Sequence, residues 1–503
     1  MNHLQTVSRL NVITPGNPDY EYWNNRSANV RLKGRPSRII PVHSIEELAT
    51  ALQETVNENY RLAIRGGGHC LENFVSDAAV NVIIDISGIK GIRYDPEFNA
   101  IEIMAGVTLG EIHEKLYNDW GVVLPTGEHP AIGIGGHIQG GAFGFLCRHH
   151  GLGADYLYAV EVLWINENRQ VEKTIATLEE ADSNRELWWA HTGGGAGNFG
   201  VVTRCWFRTP GVENKEPSKL LPLAPAVIET AEIDWDWRHI NEESFQQLVS
   251  NYCNWSKQHA AYGTGADSLF ATLHLWNKLT QKIQLKAVLT DAGKADEVLQ
   301  DLLQALGKGM NISYRIERKK MTWLEFALRP FPDIFTDQKG SFKLKDAFLL
   351  EPFSRQQIKV VYNNLTKSDT PGGFIALATY GGKVNTIAAD ATASVQRSAM
   401  LTTACVAGWL NLEEENKYLE WVRSCYRDIY IHSGGVPVPD KNIGGCMIAH
   451  PDNDLADTHW NQSGLPWHTF YYQNNYPRLQ RVKAQWDPLN IFQHTLSVQA
   501  EPK

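Results

Sequence analysis

The residues best placed to do chemistry in this sequence stand beside glycine. Arg65-Gly66-Gly67-Gly68-His69-Cys70 leaves an apolar, strand-like run, "LAIRGGGHC". A second cluster, "GIGGHIQGGAFG" over 133–144, is half glycine, and a third, "GGGAGNFG", covers 193–200. Glycine permits positive φ and lacks Cβ, so consecutive backbone N–H groups can converge on one anion. A pyrophosphate offers the several acceptor oxygens that such donors need. Tight turns would account for any one cluster, but three in one half of the chain point to a large phosphate-bearing cofactor. The third cluster contains Gly195-x-Gly197-x-x-Gly200, yet a strand-like "VVTRCW" follows where a Rossmann fingerprint requires a helix. No glycine run leads into Gly-Lys-Ser/Thr, so a Walker loop is absent.

The elements that must position these clusters are legible as periodicities. "SIEELATALQETVNENY" opens on a capping box of Ser44 and Glu47, with Leu48, Leu52 and Val56 at helical spacing. "RLAIRGGG", "VNVIIDIS", "YAVEVLWI", "QVEKTIAT" and "GVVTRCWFRT" read as strands, and "AIEIMAGVTLGEIHEKLY" as a strand followed by a helix. After Thr209, "PGVENKEPSKLLPLAPA" carries four prolines and reads as a linker. Beyond it, helical patterns such as "EESFQQLVSNYCNWSKQHA", "ADEVLQDLLQALGKG" and "NKYLEWVRSCYRDIYIH" alternate with strands "SLFATLHLW", "KIQLKAVLT" and "GFIALATYGG". That mixture suits a sheet covered on one face by helices.

The chain's 503 residues exceed one core and predict two domains or three. A formal charge of −9 argues against nucleic acid or an anionic membrane as partner. No run of about 20 apolar residues exists for a membrane span, and the opening "MNHLQTVSRLNVITPGNPDY" lacks the apolar core of a secretory signal. Seven scattered cysteines without C-x-x-C or zinc-like spacing predict a reducing cytoplasm and no metal site.

Four ordered motifs carry a resemblance. "RGGGHC", "GIGGHIQGGAFGFLCRHHGLGADYL", "LWWAHTGGGAGNFGVVTRCWFR" and "YYQNNYPRLQRVKAQWDPLNIFQHTLS" together resemble the FAD-linked oxidases of the berberine bridge enzyme type, within the vanillyl-alcohol oxidase superfamily. The resemblance spans residues 35–210 and 440–500, with a weaker echo in "TYGGKVN". It implies an α+β chain with a two-part FAD domain, 1–212 and 446–503, around a substrate domain, 213–445, whose antiparallel sheet is covered by helices. It implies FAD held by Arg65, Gly66, Gly67, Gly68, His69, Cys70, Thr126, Gly127, His129, Gly133, Gly135, Gly136, His137, Gly140, Gly141, Gly144, Gly197, Asn198, Gly200, Val202, Tyr472 and Asn474. His69 would be the covalent anchor, bonded to the flavin 8α carbon. A neutral imidazole is a fit nucleophile near neutral pH, and the bond should raise the flavin potential.

The sequence departs from the family's pattern at the reacting residues. The cysteine that links many relatives to flavin C6 is His129 here, so a single covalent bond is expected. The tyrosine of "NYPD" is His450 in "AHPD", and a tyrosine of the second glycine run is Phe143. A histidine titrates near neutrality and can serve directly as base where a phenol needs its pKa lowered. His450 and Tyr472 are the two candidates for proton removal, with Tyr471 packing behind. His137, His149, His150 and His191 read as structural, His137 beside the cofactor. Ile132 or Ile134 would set oxygen access. Trp188, Trp189, Trp409, Trp460 and Trp467 could stack on a sugar or aromatic substrate, though most of the 16 tryptophans should be core.

The reaction implied is oxidation of a small alcohol, sugar or secondary metabolite by hydride transfer to flavin N5, with molecular oxygen as the second partner and hydrogen peroxide as product. A dehydrogenase using another acceptor, or a non-redox cyclase or isomerase that keeps flavin as scaffold, are the alternatives. His69→Ala should release its flavin into the supernatant on acid precipitation. Yellow colour remaining in the pellet would exclude His69 as the attachment point.

Overall fold

The computed structural model describes residues 10–329 and 340–501, so small parts of all three expected segments lie outside it. Three strands, β1 (Arg38–Pro41), β2 (Leu62–Arg65) and β3 (Val82–Asp85), pair in parallel in the order β1-β3-β2. β3, Val-Ile-Ile-Asp, is buried along its whole length and β1 and β2 at all but one residue each, as expected of a covered parallel sheet. The helix Ile45–Asn57 makes the crossover from β1 to β2. Ser44 caps it by accepting from Glu47 N–H (3.1 Å). The expected capping box is only half formed, because the Glu47 carboxylate accepts from His43 N–H (2.7 Å), one residue earlier than the box requires.

A second sheet contains β4 (Ile92–Asp95), β5 (Ala100–Met104), β6 (Leu157–Ile165), β7 (Val171–Thr177) and β8 (Val201–Phe207), in the antiparallel order β4-β5-β8-β6-β7. The second and third glycine clusters lie in the chain between and beside these strands. Between β8 and the next strand runs the proline-rich stretch.

The third sheet is formed by β9 (Ile228–Asp236), β10 (Leu269–Trp276), β11 (Lys282–Leu289), β12 (Arg315–Met321), β13 (Ser341–Leu349), β14 (Gly373–Thr379) and β15 (Leu401–Trp409), all antiparallel, in the order β12-β9-β11-β10-β14-β15-β13. Its two faces are set by strand alternation. On β10 the odd residues Leu269, Ala271, Leu273 and Leu275 are buried, while Thr272, His274 and Trp276 on the other face are half-buried. The buried face receives the helices Glu242–Gln258, Ala295–Gly307, Arg355–Lys367 and Glu415–Ile429. Tyr252 fixes one of them by donating its buried hydroxyl to Ala271 O (2.8 Å). The architecture is the expected α+β arrangement, with the opposite face left for the cavity.

The tail returns to the glycine-rich half. Its last helix, Tyr476–Trp486, ends where Asp487 accepts from Ile491 N–H (2.8 Å) and Phe492 N–H (2.9 Å). Lys483, one turn earlier and 1% exposed, joins Asp487 (2.5 Å), Phe492 O (2.5 Å) and Asn198 O (2.9 Å), tying the tail to the third glycine cluster. Lys483→Met leaves Asp487 buried and unpaired, which should cost about 3 kcal/mol. Denaturant melts check this; a loss of less than about 1 kcal/mol would contradict the anchor.

Candidate active site

One cavity of about 900 Å³ runs from the glycine clusters to the open face of the seven-stranded sheet. Arg65, Gly66, Gly67, Gly68, His69, Cys70, Gly127, His129, Gly133, Gly135, Gly136, His137, Gly140, Gly197, Gly200 and Val202 all line it. The three clusters thus meet, though their glycines do different work. A Cβ on Gly67 would collide with the amide nitrogen of Gly133, and Gly68 has φ +76° against the Arg26 carbonyl. Those two are small so that protein backbone can meet protein backbone. Gly66 and Gly136 have no protein atom within 4 Å of a Cβ position, so there the open space belongs to the cavity.

The polar groups beside the glycines are held in definite states. Arg65 is buried and donates to Asp85 Oδ2 (2.6 Å), which Arg26 also meets (2.8 Å). Its Nη2 is a buried donor with no hydrogen-bond partner among the described residues. Gly127 N–H donates to His137 Nε2 (2.8 Å), and burial pushes His137 down to about 4, so the ring is a neutral acceptor. The rings of His69 and His129 stand 4.6 Å apart, and His129 Nδ1 accepts from Ala131 N–H (3.1 Å). Burial raises the neighbouring Cys70 thiol to about 11, which removes it as a thiolate near neutral pH. From the tail, His494 stacks on Phe74 at 4.0 Å and bridges Ala196 O (3.1 Å) and Leu496 N–H (3.2 Å). An orphan guanidinium donor, glycine backbone open to the cavity at Gly66 and Gly136, and an apolar-walled slot fit the phosphate and ring portions of FAD.

His450 lies on the cavity wall next to the sheet, with Nδ1 3.3 Å from Asp346 Oδ2. Asp346 is 1% exposed and also accepts from Met447 N–H (3.2 Å), while its Oδ1 has no partner among the described residues. Burial raises its carboxyl above the ordinary value, against the pull of His450. Glu128 also lines the cavity; burial lifts it to about 7, opposed by Arg329 and His450.

On the opposite face of β13, Lys343 and Lys345 enter a buried network. Lys343 meets Glu72 and Asp452 (2.8 Å), and Lys345 meets Asp452 (2.5 Å) and Asp454 (2.9 Å). Arg423 closes it on Asp454 (2.9 Å). Against the cost of burial, the carboxylates hold Lys343 above its ordinary value and the lysines hold Asp454 well below. Glu72 lies three residues after His69, and Asp452 two after His450.

Several expectations need correction. Tyr472 does not line the cavity: its buried hydroxyl donates to Gly194 O (2.9 Å), and burial raises the phenol, so it braces a glycine loop and cannot take the substrate's proton. Asn474 is exposed; its neighbour Asn475 is the buried one, donating to Ala389 O (2.9 Å). Asn198 acts behind the wall, donating to Gly194 O (3.1 Å) and Gly195 O (3.0 Å) and accepting from Val498 N–H (2.8 Å). Gly144 packs on the Thr126 carbonyl and Gly141 on Ser394, so Thr126, Gly141 and Gly144 support the wall without lining it. Ile132 is at the cavity, whereas Ile134 is fully buried in core. Trp188 and Trp189 donate to Leu157 O (2.9 Å) and Asp390 O (2.9 Å), and the tryptophan that lines the cavity is Trp276. Sequence reading missed Asp346, Glu128 and the lysines of β13. The one signal was charge at alternate positions of an otherwise apolar strand, "SFKLKDAFLL".

Comparison with known proteins agrees with this geometry. Residues 36–168 match the family model described as FAD binding domain, and 439–499 that described as Berberine and berberine like. Aclacinomycin-N/aclacinomycin-A oxidase of Streptomyces galilaeus is 40% identical over 481 residues, covering 95% of this chain and 88% of that one. Hexose oxidase of Chondrus crispus is 27% identical over 511 residues, covering 91% and 89%. The crystal structure of aclacinomycin oxidoreductase superposes with a TM-score of 0.94 at 39% identity, covering 98% of this chain and 99% of that one. A glycopeptide hexose oxidase complexed with teicoplanin gives 0.93 at 39%, covering 98% and 99%.

The state of Glu128 has a consequence for stability. Its carboxyl titrates at about 7 in the folded chain and has an ordinary value of 4.5. Between those values the folded state binds a proton that the unfolded state has lost, so stability falls as pH rises through the window. Glu128→Gln should flatten that slope in thermal melts taken between pH ~5 and ~8. An unchanged slope would show that the carboxyl is not held protonated.

Proposed function

This chain belongs to the FAD-linked oxidases of the berberine bridge enzyme type, and from that premise we propose that it oxidises an alcohol carbon of a sugar or glycosylated secondary metabolite. His69 is the covalent anchor and, with histidine at 129, the only covalent link. FAD bound in the cavity supplies a two-electron acceptor that molecular oxygen reoxidises with release of hydrogen peroxide.

The chain's own residues supply binding and proton transfer. The backbone at Gly66 and Gly136, open to the cavity, and Nη2 of Arg65, without a partner among the described residues, would hold the diphosphate. With Nδ1 directed to Asp346, the His450 imidazole keeps Nε2 as its basic nitrogen. That nitrogen accepts the hydroxyl proton as the carbinol carbon gives up its hydride, and the pair of electrons leaves with the hydride. Asp346 is the positioning residue: it fixes the tautomer and stabilises the imidazolium that forms. Phe143, packed on Phe270 (5.9 Å) and Tyr380 (5.6 Å), adds apolar surface to the same cavity.

The observation that carries this reading is a histidine on the wall of the same cavity that collects the glycine clusters and His69, backed by a buried carboxylate 3.3 Å behind it. A screen of sugars and aromatic glycosides for peroxide release tests it. With any substrate found, His450→Ala should lower the rate of flavin reduction by about 10²–10⁴ with flavin content unchanged. Asp346→Asn should lower it less and shift its pH profile. Full reduction rate in His450→Ala would remove the residue from proton transfer.

A further inference from the structure

The register of the seven-stranded sheet places the proposed base and a second polar group on one line. Asp346 pairs with Ala404, Ala404 with Ala376, and Ala376 with His274. Residues directly opposite in antiparallel strands share a face, so all four lie on the cavity side. Ala404 and Ala376 also line the cavity, as does Ala378 in the adjacent row. Methyl-sized side chains therefore floor a trough from Asp346 and His450 to the far strands. Three inter-strand steps make its length about 14 Å.

The far end of that trough is rich in donors without acceptors. Trp276 Nε1, which can only donate, is buried and has no partner among the described residues, and His274 Nδ1 likewise has none. Lys282 adjoins Trp276 across the strand pair, and Lys286 lies opposite Thr272. Both lysines line the cavity, Lys282 exposed at its edge and Lys286 half-buried, and neither makes an ion pair with a described residue. On β9, Asp236 is opposite Lys282, Asp234 opposite Gln284 and Glu232 opposite Lys286. Asp236 is taken by Arg238 (2.5 Å) and Asp234 by Arg315 (3.0 Å), while Glu232 and Asp234 act on Lys286 only at a distance. A buried indole N–H and a half-buried ammonium left unmatched are costly unless a ligand satisfies them.

We propose that this end is an anion subsite, and that the substrate is an elongated acidic glycoside, with its oxidised hydroxyl at His450 and a carboxylate or phosphate at Trp276, Lys282 and Lys286. The proposal rests on the oxidase reading for the first of these ends only. A neutral monosaccharide would leave the donors unmet. Trp276 and Phe374, 4.3 Å apart at the trough's mouth, add an apolar flank for the rings between.

The test is equilibrium binding, which needs no turnover. Flavin-loaded protein is titrated by calorimetry, without oxygen, with maltotriose, maltotrionate and maltotriose 1-phosphate, three ligands differing only at one end. At least one anionic ligand should bind about tenfold or more tightly than maltotriose, and high salt should erase the difference. Preference for maltotrionate identifies the group as carboxylate, and preference for the phosphate ester identifies it as phosphate. Lys282→Met with Lys286→Met should abolish the preference while flavin content and circular dichroism stay unchanged. Lys278→Met, outside the cavity, should keep it. Equal binding of all three ligands, or a preference that survives the double substitution, would overturn the proposal. Absence of peroxide release from every alcohol would instead count against the oxidase reading and leaves the binding comparison intact.

Discussion

Two buried lysines and the half-buried Arg423 balance three buried carboxylates on one side of β13, and the geometry of the site follows from that balance. Removing charges from water is expensive unless each meets a partner, so Lys343, Lys345, Arg423, Glu72, Asp452 and Asp454 are confined to one arrangement. Glu72 belongs to the loop that carries His69, and Asp452 and Asp454 to the segment that carries His450. The strand supplying both lysines carries Asp346 on its other face. One network thereby fixes the two histidines relative to each other and to the sheet, although no element of regular structure joins them.

The same economy explains the glycines. A reading of the sequence alone assigns all three clusters to a ligand's phosphates. The structure divides them: Gly67, Gly68 and Gly144 are small because other backbone lies against them, whereas Gly66 and Gly136 face open cavity. The close approach of the first two clusters is itself what makes the slot. Asn198, Tyr472, Lys483 and His494 then clamp the third cluster to the tail through its carbonyls.

Local signals were legible and convergent ones were not. Hydrophobic periodicity located the strands of the glycine-rich half and the helices of the other, because burial on one face leaves its period in the sequence. The motif at Gly66–His69 and the substitution of histidine at 450 could be seen in a few consecutive residues. Asp346 could not, since its significance comes from a contact with a residue 104 positions away. Tyr472 was misread for the complementary reason: a tyrosine near a motif looks reactive until its hydroxyl is found bound to Gly194 O, behind the wall. Trp276 was lost among 16 tryptophans, and only strand register separates it from those in core.

Asp346 also gives a physical reason for histidine at 450. A phenol beside a buried carboxylate would have to become an anion next to a group that disfavours one, so its pKa would rise and the phenolate that must take the proton would be scarcer at neutral pH. An imidazole becomes a cation on taking the proton, and the same carboxylate then stabilises the product of the transfer. The two side chains are thus matched as a pair, and each is unfavourable with the other's alternative. Asp346 is well placed for that, because Oδ2 meets both His450 and the Met447 amide while Oδ1 has no partner among the described residues. A proton taken up by the imidazole would thus create its charge 3.3 Å from a carboxylate that already faces it, whereas a phenolate in the same place would meet only repulsion.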